Sequence, residues 1–386
     1  MWIYYCLIGV VCCDFLLEHW LRKKNILNAE ELSISKWKKI LNFIFKYRFI
    51  TIVALVAVST LKSNQVGGDT HEYIRYYNKL KTNSNKLFKD GISSSIEFLY
   101  TALNSILIVL NLPFRCLTFI ISAFVSISIV LFVNKTSQNK PMSLILYIAL
   151  GIFAQALTAY RQIIAMAFVL LALIALVDKR WLKATILILV GSLFHISCLM
   201  CLLFVIMRFI KPKWWLIVSA FAITTLGAFM LPEILQIIEK VFHINYYTKY
   251  FVIITEYRNS SSLLNTLYSL AIIAIFIVMY VSRIKLLKLD EHEQQVYDFF
   301  LLIFMIVPLV RIVGYITGMP ELLNRLCMYP FMTLMVLIPL FVKGLEFNRK
   351  LFILANVGVC LVSMAYMYYL YAIELSCAVV PYVFCF

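Results

Sequence analysis

Apolar stretches of about 20 residues recur from one end of the chain to the other, and each is long enough to cross a bilayer. Because 63% of the residues are hydrophobic and only 14% are charged, the chain lacks the polar surface of a water-soluble domain. The stretches are continuous, whereas the spans of a membrane β-barrel are short and alternating. We therefore expect an all-α polytopic integral membrane protein in which residues 1–386 form a single domain.

About 10 to 12 transmembrane segments are expected, with re-entrant or broken helices among them. The candidate spans are 2–21, 43–61, 114–133, 142–159, 162–177, 213–231, 263–282, 297–316, 326–342 and 351–373. The segments 97–112 and 184–207 are ambiguous, the first because it is short and the second because it contains His195. We interpret the first span as retained, because it lacks the basic start and the small-residue cleavage site of a signal peptide.

Lysine and arginine predict the sidedness, since short cytoplasmic loops are rich in both. The first loop is strongly basic, which places it in the cytoplasm and residues 62–96 outside. Two arrangements remain for the rest of the chain, and we favour the one in which 97–112 does not cross. Segment 184–207 then enters and leaves from the cytoplasmic side as two half-helices that meet near His195. The external loops 62–96 and 232–262 would form part of a funnel.

Four polar clusters interrupt the apolar stretches. An ionisable group at the centre of a span costs about 2.5 to 3.5 kcal/mol, so such groups usually face a protein interior or a wet cavity. The clusters are Gly67-Gly68-Asp69-Thr70-His71-Glu72, Tyr160-Arg161-Gln162, Phe194-His195-Ile196-Ser197 and Asn324-Arg325 with Tyr329. In the favoured topology Asp69, Arg161, His195, Arg311 and Arg325 all open toward the external funnel.

The arginines are candidates for binding an anion with several oxygens, because a guanidinium fork grips phosphate in pairs of hydrogen bonds. We favour Arg161 and Arg325 for this role, while Arg311 either joins them or anchors its helix at the interface. Asp69 either forms a turn or acts with Glu72 as a carboxylate base. His195 is either a base, a hydrogen-bond donor or a buried imidazole.

Other chemistries are disfavoured. The net charge of +16 lies in short clusters between apolar stretches, which is typical of membrane topology and not of a nucleic-acid site. His195, Cys198 and Cys201 are spaced by three, but no fourth ligand is evident, so core packing is favoured and no metal or cofactor is expected. A nucleotide-sugar donor is not expected either, since the external loops contain no DxD pair.

The ordered motifs resemble the EpsG-like, Wzy-type O-antigen and exopolysaccharide polymerases. The similarity runs through Gly68-Asp69 with Tyr73 and Tyr77, Glu97-Phe98-Leu99-Tyr100, Arg161-Gln162, Phe194-His195, Tyr246-Tyr247 to Tyr250, and Arg325 with Tyr329. It implies a GT-C-like helical bundle in the bacterial inner membrane, a glycosyltransferase that uses an undecaprenyl-diphosphate-linked donor and acceptor at the periplasmic face. A chain-length regulator and a flippase would be its partners.

By this resemblance the site residues take roles in glycan transfer. Asp69, His195 and Glu72 are the catalytic candidates, and Arg161, Arg325 and Arg311 would bind the diphosphate. The sugar-binding candidates are Tyr73, Tyr77, Gln162, Tyr250 and Tyr329.

Three other functions fit the same sequence less well. An O-antigen ligase, or another GT-C transferase, would be expected to have a larger late external loop than 232–262. A lipid-linked oligosaccharide flippase would be expected to have an internal repeat and cations throughout its cavity. A structural scaffold would tolerate lysine in place of Arg161 and Arg325.

Overall fold

A computed structural model describes the chain except residues 25–39, 41, 43, 47, 84–95, 243–262 and 318–319, and without side chains for 231–242, 263–265, 320–324 and 376. The described residues divide into two compact units, Met1–Val205 with Lys350–Phe386, and Ile206–Arg349. Helices make up both units, which confirms the all-α polytopic class. The prediction of a single domain stays a prediction.

The first unit contains the polar clusters before residue 205. Its helices are α1 (Trp2–Lys23), α2 (Phe49–Thr60), α3 (Thr70–Thr82), α4 (Phe98–Val109), α5 (Phe114–Thr136), α6 (Lys140–Ala149), α7 (Ile152–Thr158), α8 (Tyr160–Val177), α9 (Trp181–Ser192), α10 (Leu202–Met207, ending just beyond the unit) and, after the second unit, α16 (Arg349–Tyr368, beginning at its edge). A 3₁₀ segment, Ile196–Cys201, lies between α9 and α10.

Helix α8 forms the centre of the first unit and packs against α5 and α9. Most of its residues are buried, and several of them are alanines, such as Ala165 and Ala172. Small side chains let neighbouring helices approach closely in a membrane, where packing and not water exclusion drives association. A helix that is apolar all round is therefore expected at such a position.

The predicted span 142–159 is not continuous. Helices α6 and α7 are bent by 53° at Leu150 and Gly151, and Gly151 has a φ of 80°. That left-handed conformation is accessible to glycine at no steric cost, so the chain can turn there and restart as a helix. The prediction of broken helices is correct, but this break was not among those expected.

The break predicted near His195 is present in the structure. Helix α9 ends at Ser192, and the chain passes through an extended His195 before the 3₁₀ segment begins. The Cys198 thiol lies against Ala165 in α8 and Ile188 in α9, and both Cys198 and Cys201 are buried. This agrees with the packing interpretation of the two cysteines.

Seven of the described helices are long and apolar enough to cross a membrane, or eight if the bent pair is one span. Five shorter apolar helices supply the remaining candidates. One of them is α4, whose 12 residues extend only about 18 Å at the usual rise per residue, too little for a full crossing. This length is consistent with the arrangement in which 97–112 does not cross.

The second unit is built from α11 (Trp214–Phe242), α12 (Leu263–Lys285), α13 (Glu291–Thr317), α14 (Pro320–Phe331) and α15 (Leu334–Lys343). Helix α13 packs against α11, α12, α14 and α15, so it is the central element of this unit. Two ion pairs, Arg283 with Asp298 and Lys343 with Glu293, join the basic helix ends to α13.

The carboxyl-terminal tail of the chain packs onto the loop that follows α2. Ser63 N donates to Val383 O at 2.7 Å, and Gly67 N donates to Ala378 O at 2.9 Å. The Tyr382 hydroxyl donates to Val58 O at 2.6 Å. The tail therefore fixes the conformation of residues 61–69, which precede the first polar cluster.

Candidate active site

A carboxylate lies at the centre of the polar groups in the first unit. Glu97 Oε2 accepts a hydrogen bond from Arg161 Nη1 at 2.6 Å, and Glu97 Oε1 lies 2.9 Å from His195 Nδ1. The backbone N–H of Ile196 also donates to Oε1, at 3.3 Å. Glu97 thus joins the start of α4, the first turn of α8 and the break between α9 and the 3₁₀ segment. We call Glu97, Arg161 and His195 the triad.

Local structure explains how these side chains come together. Glu97 is the residue that precedes α4, but its carboxylate makes no capping bond to its own helix and is free to reach α8. The Leu99 N–H donates to Leu193 O at 3.1 Å, which holds the start of α4 against the end of α9. Because the chain is extended at His195, the imidazole is displayed beside Glu97 and not inside a helix.

The triad keeps Glu97 ionised. Burial alone would raise the pKa of the Glu97 carboxyl, but the hydrogen bond from His195 and the charge of Arg161 outweigh it and lower the pKa to about 2. A carboxylate only accepts hydrogen bonds, so His195 Nδ1 must carry the proton that bonds to it. The Nε2 atom of a neutral His195 is then left with a lone pair.

Aromatic rings cover one side of the triad. The Tyr73 ring stacks on Tyr160 with centroids 5.0 Å apart and lies 5.6 Å from the Tyr100 ring. The Tyr73 hydroxyl interacts with Arg161, and burial raises its pKa. A neutral Tyr73 is therefore a second partner of the guanidinium, beside Glu97.

The loop that carries the first polar cluster requires glycine. Gly67 has a φ of 96°, and a Cβ atom there would lie 2.5 Å from Leu157 O, so no larger residue fits. The Asp69 N–H donates to Thr158 Oγ1 at 3.0 Å, which attaches the start of α3 to the end of α7. Both contacts fix the backbone at Asp69, whose carboxylate is close enough to Tyr73 to interact with it electrostatically.

A family model, that of the EpsG family, matches residues 45–384 of the chain. The chain belongs to the EpsG family. Membership supports a membrane polysaccharide polymerase at the family level. Searches of curated proteins and of solved structures gave no match.

In this EpsG-family chain, the two candidate carboxylates of the first cluster have different environments. Asp69 is half-buried and makes no capping hydrogen bond, although it precedes α3. Glu72 is exposed and pairs with Arg75 at 3.0 Å on the outer face of α3. Asp69 thus lies nearer to the triad through Tyr73, whose electrostatic neighbours include Asp69 and Arg161.

The predicted sugar-binding residues are distributed unevenly. Tyr73 lies in the aromatic layer over the triad, while the Tyr77 hydroxyl is committed to Leu112 O at 2.5 Å and its ring packs against Phe114. Gln162 is buried in the first turn of α8. Tyr250 lies outside the described residues. These roles remain predictions.

Three predicted residues belong to the second unit. Arg311 lies with its guanidinium 4.4 Å from the centre of the Tyr268 ring, Arg325 is exposed in α14, and Tyr329 is fully buried. The assignment of Arg311 and Arg325 to a diphosphate site with Arg161, and of Tyr329 to sugar binding, stays a prediction.

The sequence interpretation overlooked the central role of Glu97. Glu97 entered the sequence analysis only as part of a motif, and Arg161 was assigned to an anion with no acidic partner named. The available signal was a single acid at the start of an otherwise apolar helix, where an ionised group is costly unless it is paired.

Proposed function

We propose that this chain joins lipid-linked oligosaccharide repeat units into an O-antigen or exopolysaccharide, with an undecaprenyl-diphosphate-linked glycan as the donor. The observation that supports this most is the Glu97-centred triad in a membrane protein of the EpsG family. It combines an oriented imidazole with a guanidinium at adjoining helix ends.

His195 is the first candidate for the base. The Glu97 hydrogen bond at Nδ1 fixes the ring and leaves Nε2 to accept a proton from an acceptor hydroxyl. An acid that holds a histidine in this way fixes its tautomer and orientation and stabilises the imidazolium that forms when the ring takes up a proton. Asp69, half-buried beside Tyr73, is the second candidate.

Arg161 would stabilise the leaving group. Its guanidinium is a planar group with five N–H donors, and Glu97 and Tyr73 are two of its partners. The ion pair with Glu97 offsets part of the positive charge of Arg161 and holds its guanidinium in place. The interaction with phosphate oxygens would then depend on directional hydrogen bonds more than on net charge.

In the proposed step, the bond between the anomeric carbon of the donor and a diphosphate oxygen breaks, and the electron pair leaves with the diphosphate. The oxygen of the acceptor hydroxyl forms a new bond to the anomeric carbon. Its proton passes to His195 Nε2 or to Asp69. No oxidant, reductant or metal is needed for this balance, because the diphosphate is already an activated leaving group.

The proposed location is the periplasmic face of the bacterial inner membrane, as the distribution of lysine and arginine in the loops favours. A chain-length regulator and a flippase are the proposed partners. A thiol probe that cannot cross the membrane should label a cysteine introduced at Asp69 but not one introduced at Lys179.

The triad is tested by glycan ladders from cells that carry Glu97→Gln, Arg161→Lys or His195→Ala in place of the native gene. We expect each variant to lower polymer yield by at least about 100-fold, the usual loss when a positioned proton-transfer group is removed. Lysine would retain the charge of Arg161 but not its paired hydrogen bonds.

Asp178→Asn is the matched control, since Asp178 is also a partly buried carboxylate in an ion pair, with Lys135 at 2.8 Å, but lies at the opposite end of α8. Its ladder should equal that of the native protein, with all variants present in the membrane at equal levels. Normal ladders from Glu97→Gln and His195→Ala would refute the proposed chemistry.

A further inference from the structure

A cavity of about 200 Å³ lies in the first unit, and Tyr160, the residue before Arg161, forms part of its wall. It is smaller than the clefts of roughly 300–1,000 Å³ that hold drug-sized ligands, so it suits a compact group. Its lining residues are Thr60, Lys62, Asn64, Thr70, Ile74, Pro113, Phe114, Arg115, Thr118 and Tyr160. None of the roles discussed above uses it.

Two cations line this cavity without an acid beside them. Lys62 is only 4% exposed, and its ammonium donates to Val66 O and, at 2.8 Å, to Thr70 Oγ1. Arg115 Nη1 donates to Thr60 O at 3.0 Å. Among the described residues, neither cation forms an ion pair with a carboxylate. Lys62 is buried and Arg115 is half-buried, and a buried cation without an acid beside it is costly, which favours an anion in the cavity.

The backbone adds to this positive potential. Thr70, Phe114 with Arg115, and Tyr160 are the first residues of α3, α5 and α8, so three helices begin at the wall of the cavity. Helix starts carry partial positive charge and N–H groups without helical acceptors, which together favour oxyanions.

One hydroxyl group in the wall of the cavity lacks a partner. Thr60 Oγ1 is buried and has no hydrogen-bond partner within the described part of the chain. A buried hydroxyl that lacks a partner costs about 1–3 kcal/mol, so this group gains if an acceptor enters the cavity. The Tyr160 hydroxyl is buried close to the Thr70 hydroxyl, and both residues line the cavity.

We propose that the cavity between Lys62, Arg115 and Tyr160 is a second oxyanion site, separate from the triad, that binds a phosphate group. Lys62 and Arg115 supply the charge, and the Thr60 hydroxyl donates to a phosphate oxygen. The phosphate belongs either to a lipid headgroup or to a free ion. The inference does not depend on the glycan-transfer reaction, because anion binding is measurable without turnover.

The charge state of Lys62 gives the site a pH dependence. Burial, assisted by the charge of Arg115, lowers the pKa of the Lys62 ammonium to about 7 when no anion is bound. The titratable groups that face it are Arg115 from α5 and Tyr160 from α8, while Tyr382 of the carboxyl-terminal tail lies beside Arg115. An entering anion raises this pKa, so binding takes up a proton and weakens as the pH rises above 7.

The site is tested by calorimetric titration of the purified, detergent-solubilised full chain. Sulfate is the first probe, because its charge does not change across the pH range, and its affinity should fall on the order of tenfold between about pH 6.5 and about pH 8.5. Lys62→Met and Arg115→Gln should each lower it by at least about tenfold. The exposed residues Lys79 and Arg75 provide matched controls, Lys79→Met and Arg75→Gln, with native affinity expected.

The source of the phosphate is resolved by two further probes, inorganic phosphate and a short-chain isoprenyl phosphate. Tighter binding of the isoprenyl ester, lost in Arg115→Gln, identifies a lipid headgroup, and equal affinity identifies a free ion. Undiminished sulfate affinity in both Lys62→Met and Arg115→Gln overturns the proposal, as does the absence of binding to a native protein that elutes as a single folded species. Glu97→Gln should still bind sulfate, so failure of the triad and failure of this site are distinguishable.

Discussion

The ion pairing of Glu97 makes a quantitative prediction about stability. The fall in the pKa of its carboxyl from 4.5 to about 2 corresponds to roughly 3 kcal/mol in favour of the ionised form in the folded state. Because the folded-state pKa is the lower one, this stabilisation is fully present above pH 4.5 and is lost as the pH falls toward 2. By pH 3, about 2 kcal/mol of it should be gone.

The prediction is tested with the variant Glu97→Gln, by subtracting its free energy of unfolding from that of the native protein. We expect this difference to be roughly 3 kcal/mol at pH 7 and to narrow by about 2 kcal/mol at pH 3, since glutamine does not titrate in this range. Denaturant unfolding of the detergent-solubilised protein, followed by circular dichroism at both pH values, measures it.

Glu72→Gln is the control for this experiment. Glu72 is an exposed carboxylate whose ion pair, among the residues that the structure describes, is with Arg75, and solvent screens such pairs. The free energy of unfolding of Glu72→Gln should stay within about 0.5 kcal/mol of that of the native protein at both pH values. A Glu97→Gln difference that does not change between pH 7 and pH 3 would mean that Glu97 is not held ionised by the triad.

Three further predictions concern Arg325, Asp69 and Gly67. Arg325→Lys should reduce glycan polymer on a gel while the protein still inserts, because the point charge of lysine does not reproduce the paired hydrogen bonds of a guanidinium. An unchanged ladder would argue against the predicted role of Arg325 in binding the diphosphate. Asp69→Asn should lower polymer yield by a larger factor than Glu72→Gln, since Asp69 is the half-buried carboxylate of the two; the reverse order in a ladder assay would assign the base to Glu72. Gly67→Ala should lower the free energy of unfolding by about 1–3 kcal/mol, because φ is positive and a backbone oxygen lies 2.5 Å from the new Cβ. The control is Gly68→Ala, whose new Cβ has no contact below 3.9 Å and which should change the free energy of unfolding little in the same measurement.

Hydrophobic length and loop charge were sufficient to predict the helical class and the break at His195. In segment 184–207 the chain was too short for two crossings and its flanking lysines lay on one side, so a break was required near the polar residues. The structure places that break at Leu193 to His195. The break at Gly151 had no such signal, because one glycine in an apolar stretch does not distinguish a bend from a tolerated helix position.

The pairing inside the site was beyond the sequence because it depends on contacts between distant segments. Glu97 meets Arg161 and His195 across 64 and 98 residues, and periodicity carries no information on such distances. Lys62 presents the same difficulty in a stronger form. A lysine just after a span predicts an exposed interfacial anchor. Lys62 is instead 4% exposed, in a loop whose backbone pairs at Lys62 with residue 384, more than 300 positions later in the chain. Where a distant segment packs on a loop in this way, a lysine at a span end is a candidate ligand for an anion as well as a marker of topology.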